Sequence, residues 1–386
     1  MLTSGISFKN FKKQKKNKKI EKILNKTIED RNQVIESLSK NYKISYSIGK
    51  LQKFKTSKNF RIIGMGGSSL GCQTIYQFLK HKIKKNFVFI DNLQSIKKKR
   101  DHKDYTNFII SKSGNTIETI LNANIFIKKK DKNIFITENK KSYLFLLAQK
   151  LKAEIIHHNN FIGGRYSVLS EVGMLPAELM GLKSNNFKQL NNLIKDKNFL
   201  NNLIRNVSAT LHYIKNKKYN SIIINYDSNS INIFKWYQQL IAESLGKKGK
   251  GIIPLISIGP RDHHSLLQLY LDGPRDNYFY IFSLKEKRQQ KKNKELFSDV
   301  LNNNNIFEVI KNQKKAMITL LKKKNIPYLS IEISKRNEET LGELFSYFML
   351  ETIFIGKHLG INPFNQPAVE QLKKLTTNYL SKKNQK

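Results

Sequence analysis

The run RIIGMGGSSLGCQTIY, residues Arg61–Tyr76, decides the fold. It begins with apolar residues of β type, breaks into glycines and serines, and resumes with apolar residues at helical spacing. This order predicts a strand, a tight turn and a helix. Gly64, Gly66 and Gly67 permit unusual backbone angles and leave space for the amides of the helix start to face an anion. The spacing matches neither GxGxxG nor GxxxxGK[ST], so alone the run fits an ordinary glycine-rich turn at least as well as a binding site.

A second run, TNFIISKSGNTIETI at Thr106–Ile120, repeats this design. Hydroxyl groups and one ammonium group come together at the start of a predicted helix, which suits a phosphate monoester better than a diphosphate bridge. Two parallel strands end at the same edge of a sheet, so both loops are expected to face one crevice. The residues predicted to bind the phosphate end of a substrate are Gly67, Ser68, Ser111, Lys112, Ser113 and Thr116.

The loops GMGGSSLG and SKSGNTIET resemble the paired sugar-phosphate loops of sugar isomerase (SIS) domains, specifically those of the phosphoglucose isomerase family. From about Ile62 to Lys373, further similar segments follow in the family's order: GGRYS, QQLIAESLGKKGKG, HHSLLQ and NPFNQPAVEQLK. The resemblance implies reversible isomerisation of glucose 6-phosphate and fructose 6-phosphate, in glycolysis and gluconeogenesis. Ring opening and proton transfer through a cis-enediol(ate) would be the chemistry, and neither a cofactor nor a metal is implied.

Alternating strand and helix patterns predict an α/β fold with two doubly wound parallel-sheet SIS domains. Apolar residues at helical spacing also predict a helix at about residues 20–28, whereas residues 9–19 are better explained as a solvated or partly disordered basic arm. The predicted parts are a basic N-terminal helical arm (1–56), a first SIS domain (57–186), a helical linker (187–217), a second SIS domain (218–360) and a C-terminal helix (361–386).

Two residues are candidates for the proton-transfer chemistry. Arg165 follows two glycines, and from the residues alone a capping or pairing role is favoured; the resemblance to GGRYS implies that it stabilises the enediolate. Glu243 lies on a predicted helix with Trp236 and Leu240 nearby, so its surroundings are expected to be partly apolar. An ion pair with Lys247 at i+4 is the simpler interpretation. The resemblance instead implies that Glu243 is the base that moves a proton between C2 and C1.

Three further residues are implied only by the resemblance. His264 would assist ring opening in the site of the neighbouring subunit, which implies an obligatory homodimer, while His263 is assigned a structural role. Lys373 would meet the ring oxygen and Gln366 would face the substrate. From the residues alone, a surface lysine is the default, because Lys374 stands beside Lys373.

The composition sets limits on partners and location. The 386 residues carry 70 Lys plus Arg against 29 Asp plus Glu, a net charge of +41, which often indicates nucleic-acid binding. The lysines are spread over the whole length, so no specific nucleic-acid partner is expected. One cysteine excludes a disulfide framework, and no apolar run is long enough for a membrane span. A cytoplasmic protein without a membrane partner is expected.

Alternative functions stay open at this point. The segment GPRDHHSLLQLYLDGP resembles a bacterial subgroup of the family in which isomerisation of mannose phosphate can occur, so an isomerase that also accepts mannose 6-phosphate is one alternative. A non-catalytic SIS protein that senses sugar phosphates would use the same loops, but would not need Glu243, Arg165 and Lys373 together. A nucleic-acid-binding protein is suggested by charge alone, and no groove-like pattern of aromatic residues and arginines supports it.

Overall fold

The computed structural model describes residues 5–9, 11, 17–30, 32–93, 103–285 and 306–383. Its strands form two separate five-stranded sheets. In chain order they are β1 (Ile6–Lys9), β2 (Asn59–Ile63), β3 (Asn86–Ile90), β4 (Thr106–Ile110), β5 (Lys132–Thr137), β6 (Glu154–His157), β7 (Asn220–Asn225), β8 (Ile253–Ile258), β9 (Asn277–Leu284) and β10 (Tyr328–Ile333).

Helices cover the sheets and connect them. In chain order they are α1 (Lys18–Glu29), α2 (Gln33–Glu36), α3 (Gln52–Lys55), α4 (Gly67–Phe78), α5 (Ile117–Phe126), α6 (Tyr143–Lys150), α7 (Glu171–Leu179), α8 (Leu190–Leu193), α9 (Lys197–Lys215), α10 (Ile231–Leu245), α11 (Leu267–Asp272), α12 (Ile306–Lys323), α13 (Glu338–His358) and α14 (Pro367–Lys383). Two 3-10 turns, Gly164–Leu169 and Arg261–His264, carry residues of the predicted site.

The first sheet has the strand order β3-β2-β4-β5-β6 and is parallel throughout. Its central strand β4 is buried at all five positions, as expected when helices cover both faces of a sheet. The chain leaves β2 toward β3 on one side and reaches β4 on the other. The strand order therefore reverses between β2 and β4, which is where open α/β sheets form a ligand crevice.

The second sheet has the order β1-β10-β9-β7-β8, in which β7 to β10 are parallel and β1 is antiparallel to β10. The predicted α/β class with two parallel-rich sheets is confirmed. The antiparallel edge strand was not expected, because its four residues, ISFK, open a lysine-rich segment.

The N-terminal segment is less exposed than the sequence suggests. Phe11, within the range predicted to be solvated, is buried, and its ring contacts Tyr213, Tyr278 and Tyr280 at centroid distances of 5.1, 6.0 and 5.8 Å. Burial of an aromatic ring outweighs the surrounding positive charges. The predicted helix near residues 20–28 is present as α1, with Ile20 and Leu24 buried.

Two helices bring the sheets together at the site. Helix α4 of the first sheet packs against α10 of the second, and the Thr74 hydroxyl donates to the Asn232 carbonyl at 2.8 Å across this contact. Helix α13 is buried along almost its whole length, as its apolar sequence predicts. The charged run LKEKRQQKKNKE after β9 is predicted to be an exposed loop; from residue 286 onward it lies outside the described residues.

Candidate active site

The two predicted phosphate loops lie side by side. They follow β2 and β4, which are hydrogen-bonded neighbours, and each leads into a helix. The backbones are so close that a Cβ added to Gly64 would lie 3.0 Å from the carbonyl oxygen of Ile110. The helix starts of α4 and α5 therefore present their amides at the same edge of the first sheet, where an anion is favoured.

The second loop holds its hydroxyl groups in a compact arrangement. Ser111 is buried and its Oγ lies 2.8 Å from Oγ1 of Thr116, whereas Ser113 is exposed. Gly114 has φ of +67°, and a Cβ there would lie 2.1 Å from the Ser142 Oγ. Glycine is required at this position by both conformation and space.

Lys112 is turned away from these hydroxyl groups. Its ammonium group donates to the carbonyl of Asn160 at 2.7 Å and lies 3.7 Å from a carboxylate oxygen of Glu138. Burial lowers the pKa of Lys112, which the charge of Glu138 partly offsets. In this arrangement the lysine connects the phosphate loop to the chain that leads toward Arg165.

The first loop packs against the 3-10 turn that carries Arg165. The N-cap of α4 is Gly66, with φ of +52°, and Ser68 is the second helical residue and half-buried. A Cβ on Gly67 would lie 2.1 Å from the carbonyl carbon of Gly164. Close backbone contact between the loop and the 3-10 turn places Arg165 directly beside the first loop.

Arg165 is the centre of the site. It is 1% exposed, and its five N–H groups meet five protein acceptors. Nε donates to the Ser244 hydroxyl at 2.8 Å; one terminal nitrogen donates to Glu243 at 3.0 Å and to the Gln366 side-chain oxygen at 2.8 Å. The other donates to the carbonyls of Pro363 at 2.7 Å and Asn365 at 3.2 Å. Arg165, Glu243 and Gln366 are called the inner cluster below.

Glu243 is held at both carboxylate oxygens. Oε2 accepts from Arg165, and Oε1 accepts from Nε2 of Gln239 at 2.8 Å. Its side chain is 28% exposed, so part of it remains accessible to solvent. These polar partners differ from the partly apolar surroundings expected from the sequence. The alternative ion pair with Lys247 is absent from the described contacts, since the Lys247 ammonium donates to the carbonyls of Ser244 and Asn362.

Gln239 joins Glu243 to the first phosphate loop. A Cβ on Gly66 would lie 2.7 Å from the Gln239 Nε2 that donates to Glu243. The Gln239 side-chain oxygen is buried and has no hydrogen-bond partner in the described part of the chain. The glutamine therefore keeps an unused acceptor between the loop and the carboxylate.

His264 and Lys373 occupy different surroundings and are called the outer pair. His264 ends the 3-10 turn Arg261–His264 and is exposed. Lys373 lies on α14 with its side chain 55% exposed and paired to Glu370 at 2.8 Å. Within the described residues, no hydrogen bond or ion pair joins the outer pair to the inner cluster. The 3-10 turn is followed by the short helix α11.

His263 contacts Tyr226 and not the inner cluster among the described contacts. Its Nε2 lies 2.7 Å from the hydroxyl of Tyr226, and the two rings are in edge contact at 5.5 Å. Burial lowers the pKa of His263, and the neighbouring His264 adds to this effect. The adjacent histidines therefore differ in exposure and in partners.

Sequence reasoning missed two residues of the site, Gln239 and Ser244, and considered Lys247 only as an ion-pair partner of Glu243. Gln239 precedes Glu243 by four residues, a spacing that places both on one helix face, so this signal was available. Ser244 accepts a hydrogen bond from Arg165, and Lys247 donates one to the carbonyl of Asn362. Both partners lie in distant parts of the chain. No local pattern identifies such contacts.

Other features lie outside this site. A cavity of about 440 Å³ between α8 and the start of α13 is lined by Asn186, Gln189, Glu339 and Glu343 among others, and includes none of the predicted site residues. Across the described ranges, no group of three or more His, Cys, Asp or Glu side chains could hold a metal ion. Among the described helices, none is long and apolar enough to cross a membrane.

The family model of phosphoglucose isomerase matches residues 12–386, nearly the whole chain. The chain belongs to the phosphoglucose isomerase family. Within this family, it is 33% identical over 350 residues to the glucose-6-phosphate isomerase of Methanocaldococcus jannaschii, covering 84% of this chain and 86% of that protein. It is 30% identical over 362 residues to that of Campylobacter jejuni, covering 88% and 89%.

Solved structures agree with the phosphoglucose isomerase assignment at the level of fold. A glucose-6-phosphate isomerase from Chlamydia trachomatis superposes with a TM-score of 0.74 at 18% identity, covering 92% of this chain and 78% of that one. A hypothetical protein from Thermus thermophilus gives 0.79 at 20% identity, covering 94% of both chains. The expected sugar isomerase fold is confirmed.

Proposed function

We propose that the protein interconverts glucose 6-phosphate and fructose 6-phosphate through a cis-enediol(ate), with Glu243 as the base. The observation that carries this proposal is the position of the Glu243 carboxylate. It is bonded to Arg165 and Gln239, and Gln239 adjoins the first phosphate loop. Membership of the phosphoglucose isomerase family supports the same reaction.

The loops would anchor the phosphate end of the substrate. The amides of the helix starts and the hydroxyls of Ser68, Ser111, Ser113 and Thr116 offer donors, while Gly67 lets the first loop pack against Gly164. Binding energy at this remote group orients the reacting carbons. Lys112 would contribute by fixing the loop through its hydrogen bond to the Asn160 carbonyl.

The inner cluster would move the proton. Glu243 takes the proton from C2 or C1 and returns it to the other carbon, which requires one carboxylate and no cofactor. The N–H groups of Arg165 are already bonded to protein, so we assign its stabilisation of the enediolate to its nearby positive charge. Gln366 is held by Arg165 and would face the substrate.

The outer pair would open the sugar ring, with His264 acting in the site of a second subunit. Support comes from the exposure of His264 and from its separation from the inner cluster. On α14, an exposed apolar stripe flanks Lys373; it comprises Val369, Leu372, Leu375, Tyr379 and Leu380. We assign this stripe to contact with the second copy. Sedimentation of wild type as a dimer and of Leu372→Asp as a monomer would support the assignment, and a monomeric wild type would contradict it.

The experiment on the reaction is a coupled assay of fructose 6-phosphate conversion, with mannose 6-phosphate as a third substrate. Loss of a general base lowers kcat by about 10²–10⁴-fold, which is the expectation for Glu243→Gln. Glu154→Gln is the matched control, because Glu154 pairs with Lys53 at the opposite edge of the first sheet. An inactive, folded wild type that binds sugar phosphate would overturn the proposal and indicate a sensor; mannose turnover would show a broader isomerase.

A further inference from the structure

The segment between α13 and α14 is held by cations that bind its main-chain carbonyls. The Lys250 ammonium donates to the carbonyl of Leu359 at 2.9 Å, and the Lys247 ammonium donates to that of Asn362 at 2.6 Å. Arg165 binds the next carbonyls, those of Pro363 and Asn365. This segment carries Gln366 and leads to Lys373, so its position affects both the inner cluster and the outer pair.

Lys247 attaches this segment to the end of α10. It lies one turn beyond Glu243, and it also donates to the carbonyl of Ser244 at 2.9 Å. A cation is favoured there because the last carbonyls of a helix lack intrahelical partners and carry partial negative charge. One ammonium group therefore joins the end of α10 to a segment more than 100 residues later in the chain.

The contact at Asn362 determines where the acceptors of Arg165 lie. The side-chain oxygen of Asn362 accepts from the backbone N–H of Phe364 at 2.9 Å, which closes a tight turn. Pro363 and Asn365 lie within and beside this turn, and their carbonyls bind Arg165. A displaced Asn362 would move these acceptors and release the guanidinium group that orients Glu243.

We propose that Lys247 is a positioning residue of the isomerase site, which keeps the turn Asn362–Asn365 seated on Arg165 and thereby holds Glu243 and Gln366 in place. The proposal rests on the proposed function. It differs from the sequence interpretation, in which Lys247 is a simple ion-pair partner of the base.

The charges around Lys247 make its role depend on pH. Arg165 acts on it from the 3-10 turn and Glu243 from α10; residues 359–366 bring no titratable side chain. Burial, followed by the positive charge of Arg165, lowers the pKa of Lys247 to about 8, although Glu243 opposes the shift. Above this pH the amine is neutral and its contacts with the carbonyls weaken.

The first test compares Lys247→Met with Lys248→Met in the full chain. Lys248 is the next residue, exposed, and makes none of these contacts. Because a displacement of about 1 Å at the reacting groups costs about 10²-fold, we expect kcat of Lys247→Met to fall by about 10-fold to 100-fold. KM should stay within about threefold, since the phosphate loops are intact. Equal kcat values for the two variants would overturn the proposal.

The second test uses pH. Wild-type kcat should decline as pH rises through about 8, the pKa of Lys247. Lys247→Arg stays charged throughout this range and should retain activity on the alkaline side. An alkaline decline that is unchanged in Lys247→Arg would contradict the proposal, and this variant remains informative if Lys247→Met does not fold.

The third test does not depend on activity. Trp236 is the single tryptophan of the chain, and its indole N–H donates to the Arg165 carbonyl at 3.1 Å. Its fluorescence should change in Lys247→Met, and in wild type above pH 8, but not in Lys248→Met. An inactive wild type with this fluorescence pattern would contradict the proposed function alone. Unchanged fluorescence in Lys247→Met would contradict the positioning role itself.

Discussion

The inner cluster and the outer pair are built in opposite ways. Arg165 is 1% exposed and its N–H groups are fully bonded within one chain, whereas Lys373 is 55% exposed and pairs only with Glu370 of its own helix among the described contacts. The residues that would transfer the proton are therefore fixed before substrate arrives. The residues that would open the ring lie on a surface where another molecule can meet them. This contrast predicts different costs for mutations in the two regions.

The largest effect on stability is expected at Arg165. Arg165→Met removes five hydrogen bonds and leaves buried acceptors without donors, so the free energy of unfolding should fall by about 3–5 kcal/mol, together with a loss of activity. Arg261→Met is the control, because Arg261 pairs with Asp262 through a side chain that is itself 71% exposed. Its effect should stay within about 1 kcal/mol. Urea unfolding measures the free energy of unfolding of both variants. Equal losses of stability in Arg165→Met and Arg261→Met would contradict the contrast between the inner cluster and the exposed residues.

The next largest effect on stability is expected at Glu351, which anchors α10, the helix that carries Glu243. Its carboxylate is fully buried and accepts from the hydroxyls of Tyr237, Tyr280 and Tyr347 at 3.0–3.1 Å. Burial raises the pKa of Glu351 to about 7, although the tyrosine hydrogen bonds oppose this.

The sign of the resulting pH dependence follows from this raised pKa. Between the unfolded value of 4.5 and about 7, the folded state binds the extra proton, so stability falls as pH rises through this range. Glu351→Gln should remove a decline on the order of 3 kcal/mol. Unfolding measured at pH 5 and pH 8 tests this, and an unchanged decline in the variant would contradict the assignment.

A smaller effect is expected at Gly67, where the first loop meets the turn that carries Arg165. A Cβ there would lie 2.1 Å from backbone of Gly164, so Gly67→Ala must push the two segments apart. Such overpacking costs about 1–3 kcal/mol, and weaker sugar-phosphate binding should accompany it. Gly49→Ala is the control, because nothing lies within 4 Å of its added Cβ. Similar melting temperatures for both variants would argue against the close packing.

The smallest effect on stability is expected in the outer pair. Lys373→Met and Lys374→Met both change exposed lysines of α14, and each should alter the free energy of unfolding by no more than about 0.5 kcal/mol. Only Lys373→Met should lose activity, chiefly with the closed-ring substrate. Equal activity in the two variants would remove Lys373 from the site.

The same contrast explains what could be predicted from the sequence. The strands and helices around the two loops follow from local patterns: strong apolar runs, helical spacing and glycine-rich turns. The resemblance supplied the candidate residues. The acceptors of Arg165 lie 78 to 201 residues away from it, so their convergence depends on tertiary structure alone. Strand β1 was missed because pairing with β10, more than 300 residues away, stabilises a short segment with a weak local pattern.

The most direct measurement mixes two variants that are each expected to be inactive, Glu243→Gln and His264→Gln. If His264 acts in the site of the second subunit, a mixed dimer contains one site with both native residues and one site with neither. After unfolding and refolding together, activity should return to about a quarter of the wild-type value, since random pairing makes half of the dimers mixed. If each His264 serves its own chain, every site keeps one defect. A mixture that remains inactive, although mixed dimers form, would therefore contradict the division into an inner cluster and a partner-supplied histidine.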